Sequence, residues 1–138
     1  MALYIVKLTV PPNTSEYNPI EEKVTVEGKM LEKIEYRFPA GCFETVKVNV
    51  QYGNRRISPK GKVKYVDGED EKIEDPVEWD LPARRTTLTI VGWSEAEDFE
   101  HTVTVRLIVR PYRKEELLAP ITHMLRAILD RVRMLLGV

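Results

Sequence analysis

Cysteine, glutamine and histidine are scarce in this chain, and each shortage excludes a class of protein. Cys42 is the only cysteine, so the chain has no intramolecular disulfide and no site built from several thiolates. Gln51 is the only glutamine, and the only histidines are His101 and His123. Zinc sites need three or four ligands, and neither histidine has another Cys or His near it at ligand spacing. We therefore expect no metal centre and no cofactor.

The chain also lacks a long apolar run and an excess of charge of either sign. No stretch approaches the ~20 apolar residues that span a bilayer. Residues 1–10 lack the basic start of a signal peptide and soon meet Pro11 and Pro12. The 21 Lys and Arg residues nearly balance the 22 Asp and Glu residues, for a net charge of -1. We expect neither a signal peptide nor a transmembrane helix, and no nucleic-acid partner, which would require a basic excess.

What the chain does contain is enough apolar material for one core and an unusual amount of charge. Its 138 residues are 43% hydrophobic and 31% charged. This length usually holds a single core, and so we expect one domain with an appendage. Abundant charge combined with few amides is typical of proteins from hyperthermophiles, and it indicates a thermophilic source.

Alternation of apolar and polar residues dominates residues 1–112. Val46, Val48 and Val50 alternate with polar residues, as do Val103 and Val105, and a period of two places each row on one face of a strand. The predicted strands are Leu3–Val10, Ile20–Val26, Leu31–Phe38, Val46–Tyr52, Lys62–Val66, Thr86–Trp93 and His101–Val109. Short strands with one apolar face predict an all-β fold, an antiparallel β-sandwich of jelly-roll or immunoglobulin-like type.

Two charged segments interrupt these strands. Residues 67–80 are rich in Asp and Glu and contain Pro76, and we interpret them as a surface loop, because packing them would bury many carboxylates. Their spacing does not match a calcium loop, although cation binding there is left open. A basic cluster precedes them and consists of Arg55, Arg56, Lys60, Lys62 and Lys64. The opposed charges either solvate two loops or dock neighbouring copies.

The pattern changes to a helical one in residues 113–138. Apolar residues recur at spacings of 3, 4, 3, 4 and 3, which defines the a and d positions of a heptad seam: Leu118, Ile121, Leu125, Ile128, Val132 and Leu135. We expect the helix to start near Pro120 and to end near Gly137. Its apolar face can pack on the sandwich, lie on a membrane or associate with copies of itself. The strict seam favours self-association and makes these residues the predicted oligomer interface.

No catalytic constellation is recognisable. Ser15, Ser58 and Ser94 lie in predicted loops without a nucleophile motif, and Cys42 has no evident base. Trp79 and Trp93 are candidates for stacking on a ligand ring, although an anchoring role in the fold is the more common one. We therefore expect a protein that is not an enzyme.

Two stretches resemble a known group of proteins. The first runs from Lys33 through the Phe38-Pro39-Ala40-Gly41-Cys42 turn and the Tyr52-Gly53 hairpin to Pro59, and the second comprises residues 88–93 and 101–107. They resemble small uncharacterised β-sandwich proteins encoded in archaeal-virus-like and prophage-like gene clusters. The resemblance covers strands and turns over less than half of the chain, and it implies no active site.

This resemblance implies a virion or virion-assembly protein, located in the virion or in the cytoplasm of the host cell. The helix lies outside the resemblance, so the expectation of a homo-oligomer rests on the heptad seam alone. Together, the resemblance and the seam lead us to expect a structural protein that self-associates, with other virion proteins as further partners. The alternative is a carbohydrate- or surface-binding β-sandwich module. A membrane-associated adaptor that uses the terminal helix is a third possibility.

Overall fold

The structure is a computed structural model that describes residues 1–136, with the backbone alone for residues 114–123. Its elements are nine strands and one helix. They are β1 (Ala2–Val10), β2 (Ile20–Glu27), β3 (Met30–Phe38), β4 (Val46–Tyr52), β5 (Arg55–Ser58), β6 (Glu71–Asp75), β7 (Trp79–Asp80), β8 (Arg85–Ser94), β9 (His101–Arg110) and α1 (Lys114–Leu135). The predicted all-β sandwich followed by a C-terminal helix is confirmed.

The strands form two antiparallel sheets. Sheet A has the order β1-β9-β3-β6, with the short β7 also paired to β3, and sheet B has the order β2-β8-β4-β5. The pairs β1–β9, β2–β8, β3–β6 and β4–β5 are nested along the chain, so the chain folds back on itself as one long ribbon. This nesting is the jelly-roll arrangement, and it decides between the two predicted sandwich types.

The core lies between the two sheets. Each predicted row of alternating apolar residues faces inward, including Val103, Val105, Leu107 and Val109 from β9. Gly92 of β8 faces Leu8 of β1 so closely that a Cβ at position 92 would lie 2.6 Å from the Leu8 Cδ2 atom. The sheets are therefore packed tightly where β1 meets β8.

Two of the predictions for the middle of the chain are wrong. Residues 67–80 are not a surface loop, because β6 and β7 both pair with β3. Val77 is buried and Ile73 packs against the core, and so these two side chains hold an otherwise charged segment in sheet A. Lys62–Val66 is not a strand, since it contributes only an isolated bridge from Val66 to Val48. Instead, the preceding Arg55 and Arg56 lie in β5.

Candidate interaction surfaces

The helix α1 begins soon after the last strand. Its N-cap is Arg113, which has an extended backbone, and the first helical residue is Lys114. The prediction that the helix starts near Pro120 is therefore wrong. Glu115 and Glu116 occupy the first turn, where negative charge complements the positive end of the helix dipole and favours the earlier start. Gly137 lies outside the described residues.

The described side chains of α1 are uncovered. Every residue from 124 to 136 is exposed. The large apolar ones, between 44% and 86% exposed, are Met124, Leu125, Ile128, Leu129, Val132, Met134, Leu135 and Leu136. Of the predicted oligomer interface, Leu118 and Ile121 lie outside the described side chains. Over residues 124–136 the sandwich does not cover the seam, and no helix of the described chain is long and apolar enough to cross a membrane.

A second exposed apolar row lies on β1, and sequence reasoning missed it. Met1, Leu3 and Ile5 are 79%, 55% and 54% exposed on the outer side of sheet A. Ile108 of β9 is the cross-strand partner of Leu3. The segment Leu3–Val10 was predicted as a strand, but its first half does not alternate and is apolar on both faces. That departure from alternation was the signal that could have revealed the row.

Both tryptophans are half-buried and already contact a tyrosine ring. Trp79 packs against the core, with its ring centroid 5.5 Å from that of Tyr52. Trp93 lies on the outer side of sheet B and meets Tyr65 edge-on at 5.6 Å. The buried Nε1 atom of Trp93 has no hydrogen-bond partner in the described structure. The two candidate stacking residues lie on different sheets and do not form one site.

The acidic side chains of residues 67–80 are largely engaged within the chain. Asp67 pairs with Lys47 at 2.6 Å, Asp70 with Arg37 at 3.4 Å, and Glu74 lies 3.1 Å from the Nζ of Lys72. In the part of the chain that the structure describes, no group of three or more His, Cys, Asp or Glu side chains is arranged to hold a metal ion. One member of the basic cluster is also engaged within the chain, since Lys60 donates a hydrogen bond to the Val77 carbonyl at 2.8 Å.

Glu69 holds the turn that follows β3. Its carboxylate accepts hydrogen bonds from the backbone N–H groups of Gly41, at 2.8 Å, and Phe43. These bonds, that of Gly41 first, lower the pKa of Glu69 below its ordinary value. The turn contains two left-handed residues in succession, Phe43 at φ 47° and Glu44 at φ 61°, a conformation that costs free energy outside glycine. The carboxylate therefore stabilises a strained turn.

Cys42 lies inside this turn and is fully buried. Burial raises the pKa of its thiol to about 11, and the negative charge of Glu69 adds to the effect. Neutral thiols are poor nucleophiles and poor metal ligands. Cys42 is therefore a packed core residue, as its lack of an evident base had indicated.

A shallow cleft lies beside the same turn and was also missed. It is lined by Phe43, Phe99, Glu97, Asp98 and His101, among others. Both phenylalanines are largely exposed. His101 opens β9 as predicted, and it is half-buried. His123 lies outside the described side chains.

One polar chain crosses the core. The Tyr36 hydroxyl donates to Ser58 Oγ, and the Ser58 hydroxyl donates to Asp75 Oδ2. Ser58 closes β5 and Ser94 closes β8, both fully buried, so the prediction that these serines lie in loops is wrong. This chain of hydrogen bonds connects β3, β5 and β6 within the fold.

These features define a jelly-roll sandwich with a terminal helix and two uncovered apolar surfaces. No family model matches the chain, and no curated protein matches it. Among solved structures it is similar to PirA, at a TM-score of 0.42 and 11% identity over 76% of this chain and 94% of that one. It is also similar to FlhE, at 0.41 and 12% identity over 79% and 96%. At these scores neither similarity bears on function.

Proposed function

We propose that this chain is a non-enzymatic structural protein that self-associates through α1 and serves as a virion or virion-assembly component. The observation that carries the proposal is the uncovered apolar seam, represented in the described side chains by Leu125, Ile128, Val132 and Leu135. The virion role is supported by the resemblance described above and by the jelly roll itself, which viral capsid proteins share with lectins and cupins. Its composition favours a source that grows at high temperature.

Burial supplies the driving force for association. Fully burying an exposed Leu, Ile or Val side chain stabilises by ~1.5–3 kcal/mol. Leu125, Ile128, Val132 and Leu135 are 44–86% exposed, so burying them contributes roughly 4–7 kcal/mol per helix. A helix of this length is only marginally stable alone in water. Contact with other copies of α1 is therefore what stabilises it.

The width of the apolar face favours more than two helices. Leucine at the first seam position and isoleucine at the second, as in Leu125 and Ile128, favour higher-order bundles, whereas the last pair, Val132 with Leu135, has the pattern of two-stranded coils. Leu129 and Leu136 extend the face on one side and Met124 extends it on the other. A two-stranded seam is narrower than this. We therefore propose a bundle in which each helix contacts two neighbours.

Light scattering on the full chain tests this function. Ile128→Glu with Val132→Glu introduces charge into the seam, and Arg126→Glu with Arg133→Glu introduces the same residue on the opposite face as the matched control. We expect a defined oligomer, whose mass falls in the seam variant and persists in the control. A version that stops after Tyr112, checked by near-UV circular dichroism for its fold, is expected to lose the same association. A monomeric full chain, or an oligomer indifferent to the seam variant, would contradict the proposal.

The alternative, a carbohydrate- or surface-binding module, has less support. Trp79 and Trp93 are half-buried and each already contacts a tyrosine, whereas a stacking platform presents a free ring face. A shift in tryptophan fluorescence on addition of glycans would favour this alternative over self-association.

A further inference from the structure

The four sheet edges of the sandwich differ in how they are protected. Sheet A ends at β1 and β6, and sheet B ends at β2 and β5. An exposed edge offers unpaired N–H and C=O groups to another strand, and natural proteins blunt such edges with charge, proline or short length. Among the described residues, β1 pairs only with β9, so one side of its backbone is unpaired.

Three of the four edges carry protective features. The strand β5 has only four residues. The strand β6 consists mostly of charged residues and is followed by Pro76, while β2 carries Glu21, Glu22 and Lys23. By contrast, β1 has nine residues, contains no proline and carries a single charge, Lys7. Of the four described edges it is therefore the longest and the least protected.

The outer face of β1 adds side-chain affinity to its open backbone. Leu3 and Ile5 are each more than half exposed, and Ile108 of the neighbouring strand extends the apolar surface. The opposite face of β1 is anchored in the core by Val6, Leu8 and Val10. The inner face of the edge strand is thus fixed in the core, while its free side and its outer face remain available.

We propose that β1 pairs antiparallel with β1 of a second copy across a two-fold axis, so that the two A sheets become one continuous sheet. Cross-strand apolar pairs stabilise such ladders. The register that keeps the apolar row together places Leu3 opposite the partner's Ile5, with the axis at Tyr4. Each Leu3 and each Ile5 then gains an apolar neighbour.

The charges of β1 are compatible with pairing to itself. In this register Lys7 lies opposite the partner's Met1, so the two lysines do not face each other. Like charges directly opposite each other are destabilising. By contrast with β1, the strand β2 carries the adjacent Glu21 and Glu22, which would oppose pairing of β2 with itself. A two-fold contact uses the same patch on both copies, and β1 meets that requirement.

The β1 contact is a second self-association surface, and its role in a larger assembly rests on the proposed function. A helix bundle forms a cyclic assembly, and a two-fold contact at a different surface joins such assemblies to one another. Two independent self-association surfaces are what a closed shell or an extended array of identical subunits needs. The β1 contact itself does not depend on α1.

The test uses the full chain with the seam disabled by Ile128→Glu and Val132→Glu, so that only the β1 contact remains. In that background Leu3→Lys with Ile5→Lys places like charges in the paired region, and Thr9→Lys is the matched control on the same face outside the proposed pairing. Mass is measured by light scattering over a wide range of protein concentration, and near-UV circular dichroism checks the fold.

We expect the seam-disabled chain to be a dimer, the Leu3→Lys and Ile5→Lys variant to have half its mass, and the Thr9→Lys control to remain a dimer. Hydrogen exchange is expected to be slower in β1 of the dimer than in the monomeric variant. A seam-disabled chain that is monomeric at every concentration would overturn the proposal, as would a dimer unaffected by the lysines. The proposed function fails by a different result: the mass of the full chain would then stay the same when the seam is disabled.

Discussion

The hydroxyl of Tyr36 in one sheet donates a hydrogen bond to the hydroxyl of Ser58 in the other, at 2.7 Å. Both residues are fully buried, and Ser58 in turn donates to Asp75 of β6. The three side chains link strands β3, β5 and β6 across the core. A buried polar group that loses its partner costs about 1–3 kcal/mol, so this chain constrains how the two sheets are aligned.

Replacing the central hydroxyl should therefore cost more than replacing the first one. Ser58→Ala leaves both the Tyr36 hydroxyl and the Asp75 carboxylate without this partner, and we expect a loss of about 2–4 kcal/mol in the free energy of unfolding. Tyr36→Phe leaves the Ser58–Asp75 bond intact and should cost about 1–2 kcal/mol. Urea unfolding of both variants measures the difference. Equal losses would show that the chain of hydroxyls does not act as described.

Alkaline pH should destabilise the protein through Tyr36. Burial raises the pKa of this phenol above its ordinary value, so the unfolded state releases its proton first. The contribution to stability is complete below the unfolded pKa of about 10 and is lost as pH rises above it, by up to ~1.4 kcal/mol per pH unit. Because Cys42 has a raised pKa and acts in the same direction, the comparison is Cys42→Ala against Cys42→Ala with Tyr36→Phe. If the free energies of unfolding of these two variants fall equally with pH above about 10, the prediction is contradicted.

Alternation of apolar and polar residues correctly predicted the strands that have one buried and one exposed face. It missed strands made mostly of charged residues. Val46–Tyr52 is confirmed as β4, because its valines and polar residues meet different surroundings. Residues 71–75 are nearly all charged, and only their partners in β3 make them a strand. Pairing between distant segments cannot be seen in either segment alone. Arg55–Ser58 was missed for the same reason.

The candidate surfaces were predicted unevenly. The spacing of the α1 seam identified Leu125, Ile128, Val132 and Leu135, and the structure leaves them uncovered. The β1 edge was not predicted, because whether a strand lies at the edge of a sheet depends on strand order. Strand order follows from the nested pairing of segments that are far apart in the sequence, as in Ala2 with Val109.

The thiol of Cys42 should resist labelling in the folded protein. It is fully buried, and burial raises its pKa from 9.0 to about 11, so the thiolate fraction at neutral pH falls about 100-fold. We expect reaction with a disulfide reagent to be at least that much slower than in denaturant, and to follow local opening of the turn. Complete labelling of the native protein on mixing would show that the thiol is accessible.

Glu69 should make the turn at Phe43 sensitive to acid. Hydrogen bonds from the Gly41 and Phe43 amides lower the pKa of this carboxyl, so its contribution to stability is present above the unfolded pKa of about 4.3 and is lost as pH falls through the lower folded value. Glu69→Gln cannot ionise, and we expect that variant to show a smaller loss of stability in acid than the unmodified protein.

The Cys42 thiol, next to Phe43, reports the same event locally. As pH falls, opening of the turn should speed labelling by a reagent that reacts with thiols in acid, in the unmodified protein more than in Glu69→Gln. Glu71→Gln is the matched control, since Glu71 lies in the same acidic segment and its carboxylate accepts from the Glu69 N–H group, not from the turn. If labelling in Glu69→Gln rises with acid as steeply as in Glu71→Gln, the carboxylate does not hold the turn, and packing around Cys42 alone must stabilise the left-handed residues.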